Sequence, residues 1–324
     1  MSEERRWVVV TGATGFLGRP LCSKLQESGA TVRAASRTPQ AGPWSDFVRV
    51  DLPAQLPSNL FAGADVVYHL AGRAHAMSDS RADADLYRDV NVRGTAHVAG
   101  RAKDAGVKRF VFMSSVKVFG EPGREVVSEN QERRATDPYG ASKREAEDAL
   151  MRLHSPDFQV VVLRPALVYG PGAKGNLDAL VRLLSKGRMP PLPRVSNRRS
   201  MVGLYDLIDA ILLAGCHPRT GGQAYTVTDG AVYSTTRIIE ILAAALGISR
   251  KARFTIPLPA LRVAARVGDA GRRLTGRRLP LDSAMLSRLL ENAEYEAVRL
   301  REQTGYAPRQ DLTDLAEAIV QERA

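Results

Sequence analysis

The segment TGATGFLG at residues 11–18 follows a short apolar run, Trp7–Thr11, and leads into a helical pattern over Phe16–Ser28. Glycines in the spacing GxxGxxG between a strand and a helix are typical of a turn that binds a dinucleotide. The surrounding strand and helix raise this motif above a chance match, because a lone glycine pattern carries little information.

Each glycine of this turn has a physical role. Gly12 permits the tight turn, Gly15 lets the backbone approach a pyrophosphate, and Gly18 lets the helix pack closely on the strand. The free N–H groups and partial positive charge of the helix N-terminus favour phosphates. The sequence therefore predicts NAD or NADP as the cofactor, and the alternative interpretation is a tight turn that holds no ligand.

Apolar, β-branched runs alternate with helical patterns through the first half of the chain. Continuous apolar strands separated by helices predict a parallel sheet covered on both faces, the doubly wound α/β (Rossmann) arrangement. The predicted strands are Trp7–Thr11, Thr31–Ala35, Phe47–Val50, Asp65–Leu70, Lys108–Met113 and Gln159–Leu163, and two long helices are predicted at Asp83–Ala105 and Pro138–His154.

The pattern changes after Arg164-Pro165, where proline and glycine become frequent. We expect residues 1–165 to form the dinucleotide-binding domain, with return segments near 200–230, and residues 166–324 to form mostly a smaller, mainly helical substrate-binding lobe. A strand is predicted at Gln223–Thr228, and helices at Asp206–Gly215, Thr235–Leu246, Leu258–Leu274, Leu281–Leu290 and Leu312–Gln321.

The composition narrows the class of protein. The 324 residues are 44% hydrophobic and 25% charged, which is ordinary for a soluble globular protein. Cys22 and Cys216 have no metal-ligand spacing and form no disulfide framework, so no metal site is predicted. There is no apolar run long enough to span a membrane and no signal-peptide pattern, so we expect a cytoplasmic protein.

The formal net charge of +11 favours anionic ligands in general. The sequence has no zinc-ligand cluster and no aromatic–basic pattern of the kind that binds RNA, so no nucleic-acid partner is predicted. The basic cluster Arg272–Arg278 follows the apolar stretch Leu258–Val267. We interpret it as a solvated face, and an anionic membrane or a glycosyltransferase partner is the alternative.

The segment Tyr139-Gly-Ala-Ser-Lys143 lies at the start of a predicted helix, with Asp137 suited to the cap and Pro138 to the first turn. Tyr139 and Lys143 are four residues apart and share one helix face. A phenol with a pKa of about 10 is a poor base at neutral pH, and we expect the Lys143 ammonium and a cationic nicotinamide both to favour the phenolate. Tyr139 then exchanges a proton with a carbinol while hydride is transferred.

A hydroxyl pair, Ser114-Ser115, follows the predicted strand Lys108–Met113. The carboxyl ends of strands in an open α/β sheet are where ligands bind. We therefore expect a serine there to hydrogen-bond the same carbonyl or carbinol oxygen as Tyr139.

With these motifs in place, the chain resembles the extended short-chain dehydrogenases/reductases of the nucleotide-sugar epimerase/dehydratase type. The motifs occur in the family's order over roughly residues 7–215. They are TGATGFLG (11–18), HLAG (69–72), NVRGT (91–95), FMSSVKVFG (112–120), YGASK (139–143), LRPALVYGPG (163–172) and RSMVGLYDL (199–207).

The resemblance implies roles for particular residues. Ser115 is the catalytic hydroxyl, Tyr139 is the acid/base, and Lys143 binds the nicotinamide ribose. Asp51 and Leu52 flank the adenine. The other residues implied to hold the cofactor are Gly12, Gly15, Phe16, Leu17, Gly18, Leu70, Ala71, Gly72, Asn91 and Pro165.

On the substrate side, the resemblance implies that Asn176 and Arg199 hold a diphosphate, while Ser115 and Tyr139 also contact the sugar. A guanidinium suits a diphosphate on physical grounds as well. The alternative interpretation of Arg199 is a surface ion pair.

The end of the second strand bears on the choice between NAD and NADP. An acid at this position binds the ribose 2′-hydroxyl and rejects a 2′-phosphate, and here the strand is followed by Ser36 and Arg37 instead. Arg37 can pair with a 2′-phosphate and Ser36 can add a hydrogen bond. We expect NADP to be accepted. Alternatively, Arg37 is solvated or stacks on adenine.

Several positions depart from the family's common pattern. Leu167 replaces an asparagine that usually contacts substrate, and Phe119 replaces a tyrosine. Lys117 is placed to face the sugar, and His75 lies in a segment similar to that of UDP-N-acetylquinovosamine dehydrogenases, which reduce a 4-keto-6-deoxy-HexNAc. The alternatives are a solvated Lys117 and a His75 that lies in a loop near the cofactor.

We therefore expect hydride chemistry at C4 of a nucleotide-linked sugar, with a UDP-sugar as substrate. A 4-ketoreductase is the leading hypothesis, and a UDP-hexose or UDP-HexNAc 4-epimerase is the alternative. A 4,6-dehydratase would want an acidic pair after the serine, where Val116-Lys117 stands. A non-catalytic NAD(P)-sensing protein is the alternative of another class. By analogy with the family, the two long helices are a possible homodimer interface.

Overall fold

The computed structural model describes residues 7–52, 54–74, 81–123, 125–189, 193–248, 256–275 and 283–322. Two sequence predictions fall outside that description. His75 lies outside the described residues, and so do residues 276–278 of the basic cluster. Asn176 is described in its backbone only.

A sheet of seven parallel strands forms the centre of the structure, in the order β3-β2-β1-β4-β5-β6-β9. The strand order reverses between β1 and β4, and in open α/β sheets ligands bind at the carboxyl ends of the strands beside such a point. The strands are β1 Trp7–Thr11, β2 Thr31–Ser36, β3 Asp46–Arg49, β4 Ala64–His69, β5 Arg109–Met113, β6 Gln159–Pro165 and β9 Gln223–Val227.

Both faces of this sheet are covered, as the continuous apolar strands predict. Val8 and Val10 of β1 belong to one core with helices α1 Gly18–Glu27, α6 Leu204–Cys216 and α10 Arg299–Thr304, whereas Val9 belongs to the other. The second core contains α3 Thr95–Asp104 and α4 Pro138–Leu153. The doubly wound prediction is confirmed, because alternate side chains of one strand enter different cores.

The predicted helix Asp83–Ala105 consists of three pieces. Helix α2 spans Arg81–Tyr87, a π-helical segment spans Arg88–Gly94, and α3 follows. A π-helical turn inserts extra backbone into a helix and is frequent at functional sites. Here it carries Asn91, which is buried. The homodimer expected through these helices stays a prediction.

The smaller lobe is mainly helical, as expected, and it also contains strands that the sequence did not reveal. A three-stranded sheet in the order β10-β8-β7 is built from β7 Leu167–Tyr169, β8 Arg199–Gly203 and β10 Val232–Tyr233. β7 has three residues and β10 two, which is too short for a clear alternating pattern. The helices of the lobe are α5 Asn176–Ser185, α7 Thr235–Ala245, α8 Leu258–Thr275, α9 Ser283–Leu290 and α11 Leu312–Gln321.

The lobe has its own packing. Helices α5, α7 and α11 share one apolar core, and Leu261 of α8 packs against Leu286 of α9. The division into residues 1–165 and 166–324 stays a prediction. Among the described residues, no helix combines the length and the apolar composition that a membrane span requires.

The glycine turn gives a stability prediction. A Cβ added at Gly18 would collide with the carbonyl oxygen of Gly12, whereas a Cβ added at Gly100 of α3 meets no atom within 4 Å. We expect Gly18→Ala to lower the free energy of unfolding by about 1–3 kcal/mol through overpacking. The matched Gly100→Ala should raise it by about 0.5–1 kcal/mol, because alanine favours the helix. Urea unfolding measures both, and equal stability of the two variants would contradict the packing argument.

Candidate active site

Ser115 and Tyr139 are placed by two short local structures. Ser115 follows β5 and caps a single turn of 3₁₀ helix, Val116–Phe119, with its hydroxyl accepting from the Lys117 amide at 3.3 Å. Tyr139 is the second residue of α4, whose N-terminus is capped by Asp137 accepting from the Gly140 amide at 2.9 Å. The predicted cap is therefore confirmed.

Gly140 brings these two structures into contact. A Cβ on Gly140 would collide with the carbonyl oxygen of Lys117, so α4 lies directly against the 3₁₀ turn. As a result the Ser115 hydroxyl lies close enough to the Tyr139 phenol to lower its pKa. Two hydroxyls thus meet at the carboxyl end of β5, where the doubly wound fold binds ligands.

Lys143 lies one turn further along α4 and is buried. Its Nζ donates to the Met113 carbonyl at 2.8 Å and lies 4.6 Å from the centroid of the Phe112 ring. A Cβ on Gly72 would lie 3.3 Å from the same Nζ, which places the ammonium beside the end of β4 as well. Burial lowers the pKa of Lys143 to about 8, and the charge of Glu147 opposes that shift.

The lowering of the Tyr139 pKa that is expected from Lys143 together with a cationic nicotinamide stays a prediction. In this structure the pKa of Tyr139 is raised to about 12. Burial is the largest cause of this rise in pKa. Electrostatic interactions with Asp137 and Tyr87 add to the rise, whereas the Ser115 hydroxyl lowers the pKa. The Lys143 ammonium is directed at a backbone carbonyl. At neutral pH Tyr139 therefore holds its proton and is suited to act as an acid.

The glycine turn has the shape that a pyrophosphate needs. Gly12 has φ of 71°, and a Cβ there would lie 2.8 Å from the Ala71 amide nitrogen. Helix α1 begins at Gly18, two residues later than predicted, and no side chain caps its N-terminus at Leu17. The amides of Phe16, Leu17 and Gly18, which have no backbone partner among the described residues, are therefore open toward an anion.

The residues expected around the adenosine end lie at the ends of β2 and β3. The Ser36 hydroxyl is hydrogen-bonded to that of Thr14 at 2.8 Å. Arg37 is exposed and makes no hydrogen bond or ion pair with the described residues. Asp51 is exposed and Leu52 partly buried. Their contacts with a cofactor stay predictions.

Asn91 connects the end of β4 to α4. Its amide nitrogen donates to the Arg73 carbonyl and to the Ser142 hydroxyl, both at 3.0 Å, and its oxygen accepts from the Arg73 amide at 2.8 Å. Asn91 thus joins the segment after β4 to α4 through the Arg73 backbone and the Ser142 hydroxyl, and its contact with a cofactor stays a prediction. Ser142 was missed, although it stands within the YGASK motif.

His69, at the end of β4, is a second residue whose partners the sequence did not reveal. It is fully buried between the hydroxyls of Thr11 at 2.8 Å and Thr95 at 3.0 Å. Burial lowers its pKa to about 3, with the Lys143 charge adding to the effect, so the ring is neutral. Through these two hydrogen bonds, His69 of β4 connects β1 with α3.

Two of the side chains predicted to hold substrate, Lys117 and Arg199, contact other groups of the chain. Lys117 is half-exposed and pairs with Glu121 at 2.7 Å. Arg199 begins β8 and donates to the Glu291 carbonyl at 3.3 Å, while burial lowers its pKa and charges that include Glu121 oppose the shift. These substrate contacts stay predictions. Pro165 ends β6 and is buried.

In the part of the chain that is described, no group of three or more His, Cys, Asp or Glu side chains is arranged to hold a metal ion. The polar groups at the carboxyl edge of the sheet are those of an acid/base and dinucleotide site.

Comparison with known proteins gives one family. A model of the NAD dependent epimerase/dehydratase family matches residues 8–228. The chain is similar to UDP-glucose 4-epimerase of Vibrio cholerae, with 39% identity over 263 residues that make up 78% of each protein.

Two further comparisons involve a reductase and a solved structure. The chain is 30% identical, over 81% of its length and 79% of the relative's, to the 4-hydroxy-2-methyl-3-oxo-4-farnesyl-3,4-dihydroquinoline-1-oxide ketoreductase of Stigmatella aurantiaca. The structure of UDP-glucuronic acid 4-epimerase from Bacillus cereus, in complex with UDP-glucuronic acid and NAD, covers 98% of each chain with a TM-score of 0.77 and 21% identity. That likeness shows the same fold.

The bonds of Asn91 give a second prediction. Asn91→Ala leaves the Arg73 amide and carbonyl without their partner, and we expect the free energy of unfolding to fall by about 1–3 kcal/mol. Asn59→Ala, at an exposed asparagine, is the matched control. Urea unfolding compares the two variants, and a loss no larger than that of the control would refute the role of Asn91.

Proposed function

The chain belongs to the NAD dependent epimerase/dehydratase family, and we propose that it is an NAD(P)-dependent 4-ketoreductase of a nucleotide-linked sugar. The substrate class we propose is a UDP-linked 4-keto-6-deoxy-HexNAc. As a member of this family it is an NAD-dependent enzyme of the nucleotide-sugar epimerase/dehydratase type.

The observation that supports the reductase is the raised pKa of Tyr139, which keeps the phenol beside Ser115 protonated. Reduction of a ketone consumes one hydride and one proton, and a phenol with a pKa of about 12 retains the proton at neutral pH. Oxidation of a carbinol needs the phenolate instead. The resting state of this site therefore favours donation of a proton over its removal.

The residues of the site divide the work at the C4 oxygen. A reduced nicotinamide dinucleotide, held at the glycine turn, would supply the hydride to C4. Tyr139 donates its proton to the oxygen, and the Ser115 hydroxyl donates a hydrogen bond to the same atom. Lys143, with a pKa of about 8, is charged at neutral pH and lies on the helix face that carries Tyr139.

The fit of the dinucleotide rests on the chain's own geometry. A Cβ at Gly12 or Gly18 would collide with the chain's own backbone, so the turn is tightly packed, and no side chain caps the start of α1. A pyrophosphate placed there would be held by the amides of Phe16, Leu17 and Gly18. Arg37, exposed after β2, supports the acceptance of a 2′-phosphate.

A 4-epimerase is the second candidate, and the similarity to UDP-glucose 4-epimerase of Vibrio cholerae favours it. Such an enzyme would use Ser115, Tyr139 and Lys143 in both directions, with no net consumption of cofactor. The two candidates differ in whether the first proton step removes or donates a proton.

A direct assay separates the candidates. The protein is incubated with UDP-4-keto-6-deoxy-GlcNAc and NADH or NADPH, and separately with UDP-GlcNAc. Loss of the reduced-nicotinamide absorbance with the keto sugar supports the reductase. A C4 epimer formed without any absorbance change supports the epimerase. Cofactor binding without either reaction would favour a non-catalytic NAD(P)-sensing protein and overturn the proposal.

Replacing the acid gives a third prediction. We expect Tyr139→Phe to reduce kcat roughly 10²–10⁴-fold, because the C4 oxygen loses its proton donor. The dissociation constant of the cofactor should stay unchanged, as fluorescence titration measures. Tyr205→Phe, at an exposed tyrosine, is the matched control and should keep full activity. A Tyr139→Phe enzyme with undiminished kcat would refute the assignment.

Replacing the exposed arginine gives a fourth prediction. Arg37→Ala should raise the KM for NADPH about tenfold and leave that for NADH unchanged, since a charge-assisted contact to phosphate is worth roughly 1.5 kcal/mol or more. Arg101→Ala, at an exposed arginine of α3, is the control. Equal changes for both cofactors would show that Arg37 does not contact the 2′-phosphate.

A further inference from the structure

We propose that Glu147 is a positioning residue of the active site, whose buried carboxylate keeps the Lys143 ammonium charged and fixes the turn that carries Ser115. The proposal rests on the proposed function for the role of Lys143, and it assigns a task to a residue that the sequence analysis did not single out. The hydrogen bonds of Glu147 and the charge of its carboxylate both support this role.

Glu147 is 1% exposed, although carboxylates are seldom fully buried unless they are paired. It accepts from Arg164 Nη2 at 2.6 Å and from Arg164 Nε at 3.0 Å. It also accepts from Arg133 Nη1 at 3.1 Å and from the Ser114 hydroxyl at 2.5 Å. Elements before α4, within it and after it thus meet at one carboxylate.

The position of Glu147 on α4 ties it to Lys143. The two residues are four apart, so they share the helix face that also carries Tyr139. The predictive signal was present in the sequence as Lys143-x-x-x-Glu147, one turn beyond the motif. A carboxylate one turn below a buried ammonium lowers the cost of burying that ammonium.

Among the charged and titratable groups around Lys143, Glu147 is the one that favours the charged ammonium. On β4, His69 is neutral, and on β5 the ammonium contacts the Phe112 ring and the Met113 carbonyl. Tyr139 holds its proton. Among the described residues, Glu147 is the carboxylate that raises the pKa of Lys143 against the effect of burial.

The same carboxylate acts on the serine side of the site. Ser114 donates to Glu147 from its hydroxyl and to the Leu163 carbonyl of β6 from its amide at 2.7 Å. Ser115 is the next residue, and its hydroxyl caps the 3₁₀ turn. Glu147 therefore fixes the backbone from which Ser115 extends.

Arg133 partly neutralises Glu147, so replacing Arg133 changes the electrostatic effect of Glu147 on Lys143. Its guanidinium bridges Glu147 and Asp148, and its side chain is 30% exposed, so it can be replaced without opening the core. Removing it takes away a positive charge and leaves the two carboxylates less neutralised. Arg133→Met and Glu147→Gln therefore act on Lys143 in opposite directions.

The test is a titration of the Lys143 side chain in the intact, unliganded protein by NMR with labelled lysine, assigned by loss of the signal in Lys143→Met. The wild type should titrate near pH 8. Glu147→Gln should lower the pKa of Lys143 by roughly one unit or more, and Arg133→Met should raise it. Arg134→Met, at the neighbouring exposed arginine that pairs with Glu132, should leave it unchanged.

Turnover provides the second readout. The basic limb of the kcat/KM profile should move to lower pH in Glu147→Gln and to higher pH in Arg133→Met, since the ammonium is the active form. A merely structural Glu147 would lower activity at every pH without moving the limb. Shifts of Lys143 in the same direction in both variants, or in neither, overturn the proposal.

The NMR titration and the kcat/KM profile together distinguish a failure of this proposal from a failure of the proposed function. The NMR titration needs no substrate, so opposite shifts in a protein that reduces no keto sugar would support the positioning role and refute the reductase. If Glu147→Gln does not fold, Arg133→Met decides alone. A pKa of Lys143 that does not rise in this variant then overturns the proposal.

Discussion

The contact between Gly140 and the carbonyl oxygen of Lys117 is the constraint on which the active site depends. It leaves no room for a side chain, so the first turn of α4 lies directly against the 3₁₀ turn that follows β5. Tyr139 and Ser115 flank this contact, and the Ser115 hydroxyl lowers the pKa of the Tyr139 phenol. A residue larger than glycine would force the first turn of α4 or the 3₁₀ turn to shift, which would move the two hydroxyls relative to each other.

Much of the fold was predictable, because the strands of the large sheet are buried on both faces and read as continuous apolar runs. The strands of the lobe were not, since β10 has two residues and β7 three. The π-helical segment around Asn91 was also invisible. Its helical periodicity is nearly that of an α-helix, and the extra backbone is set by contacts with Arg73 and Ser142.

The catalytic residues were predictable as residues, but their electrostatics were not. Spacing places Tyr139 and Lys143 on one helix face, yet it does not say where a long, flexible lysine side chain ends. Here it ends on the Met113 carbonyl, and burial then dominates the pKa of both groups. Glu147 was missed for the same reason. Its partners Arg133 and Arg164 come from elements that only the tertiary fold brings together.

The resting position of one proton thus bears on the choice that we propose between a reductase and an epimerase at this site. An epimerase starts by removing a proton, so it benefits from a phenol whose pKa lies near the working pH. A reductase starts by donating one and tolerates a strongly raised pKa. In this chain burial of Tyr139 outweighs the effect of the Ser115 hydroxyl, which lowers its pKa. A neutral, reduced nicotinamide leaves that balance in place, whereas a cationic one shifts it toward the phenolate.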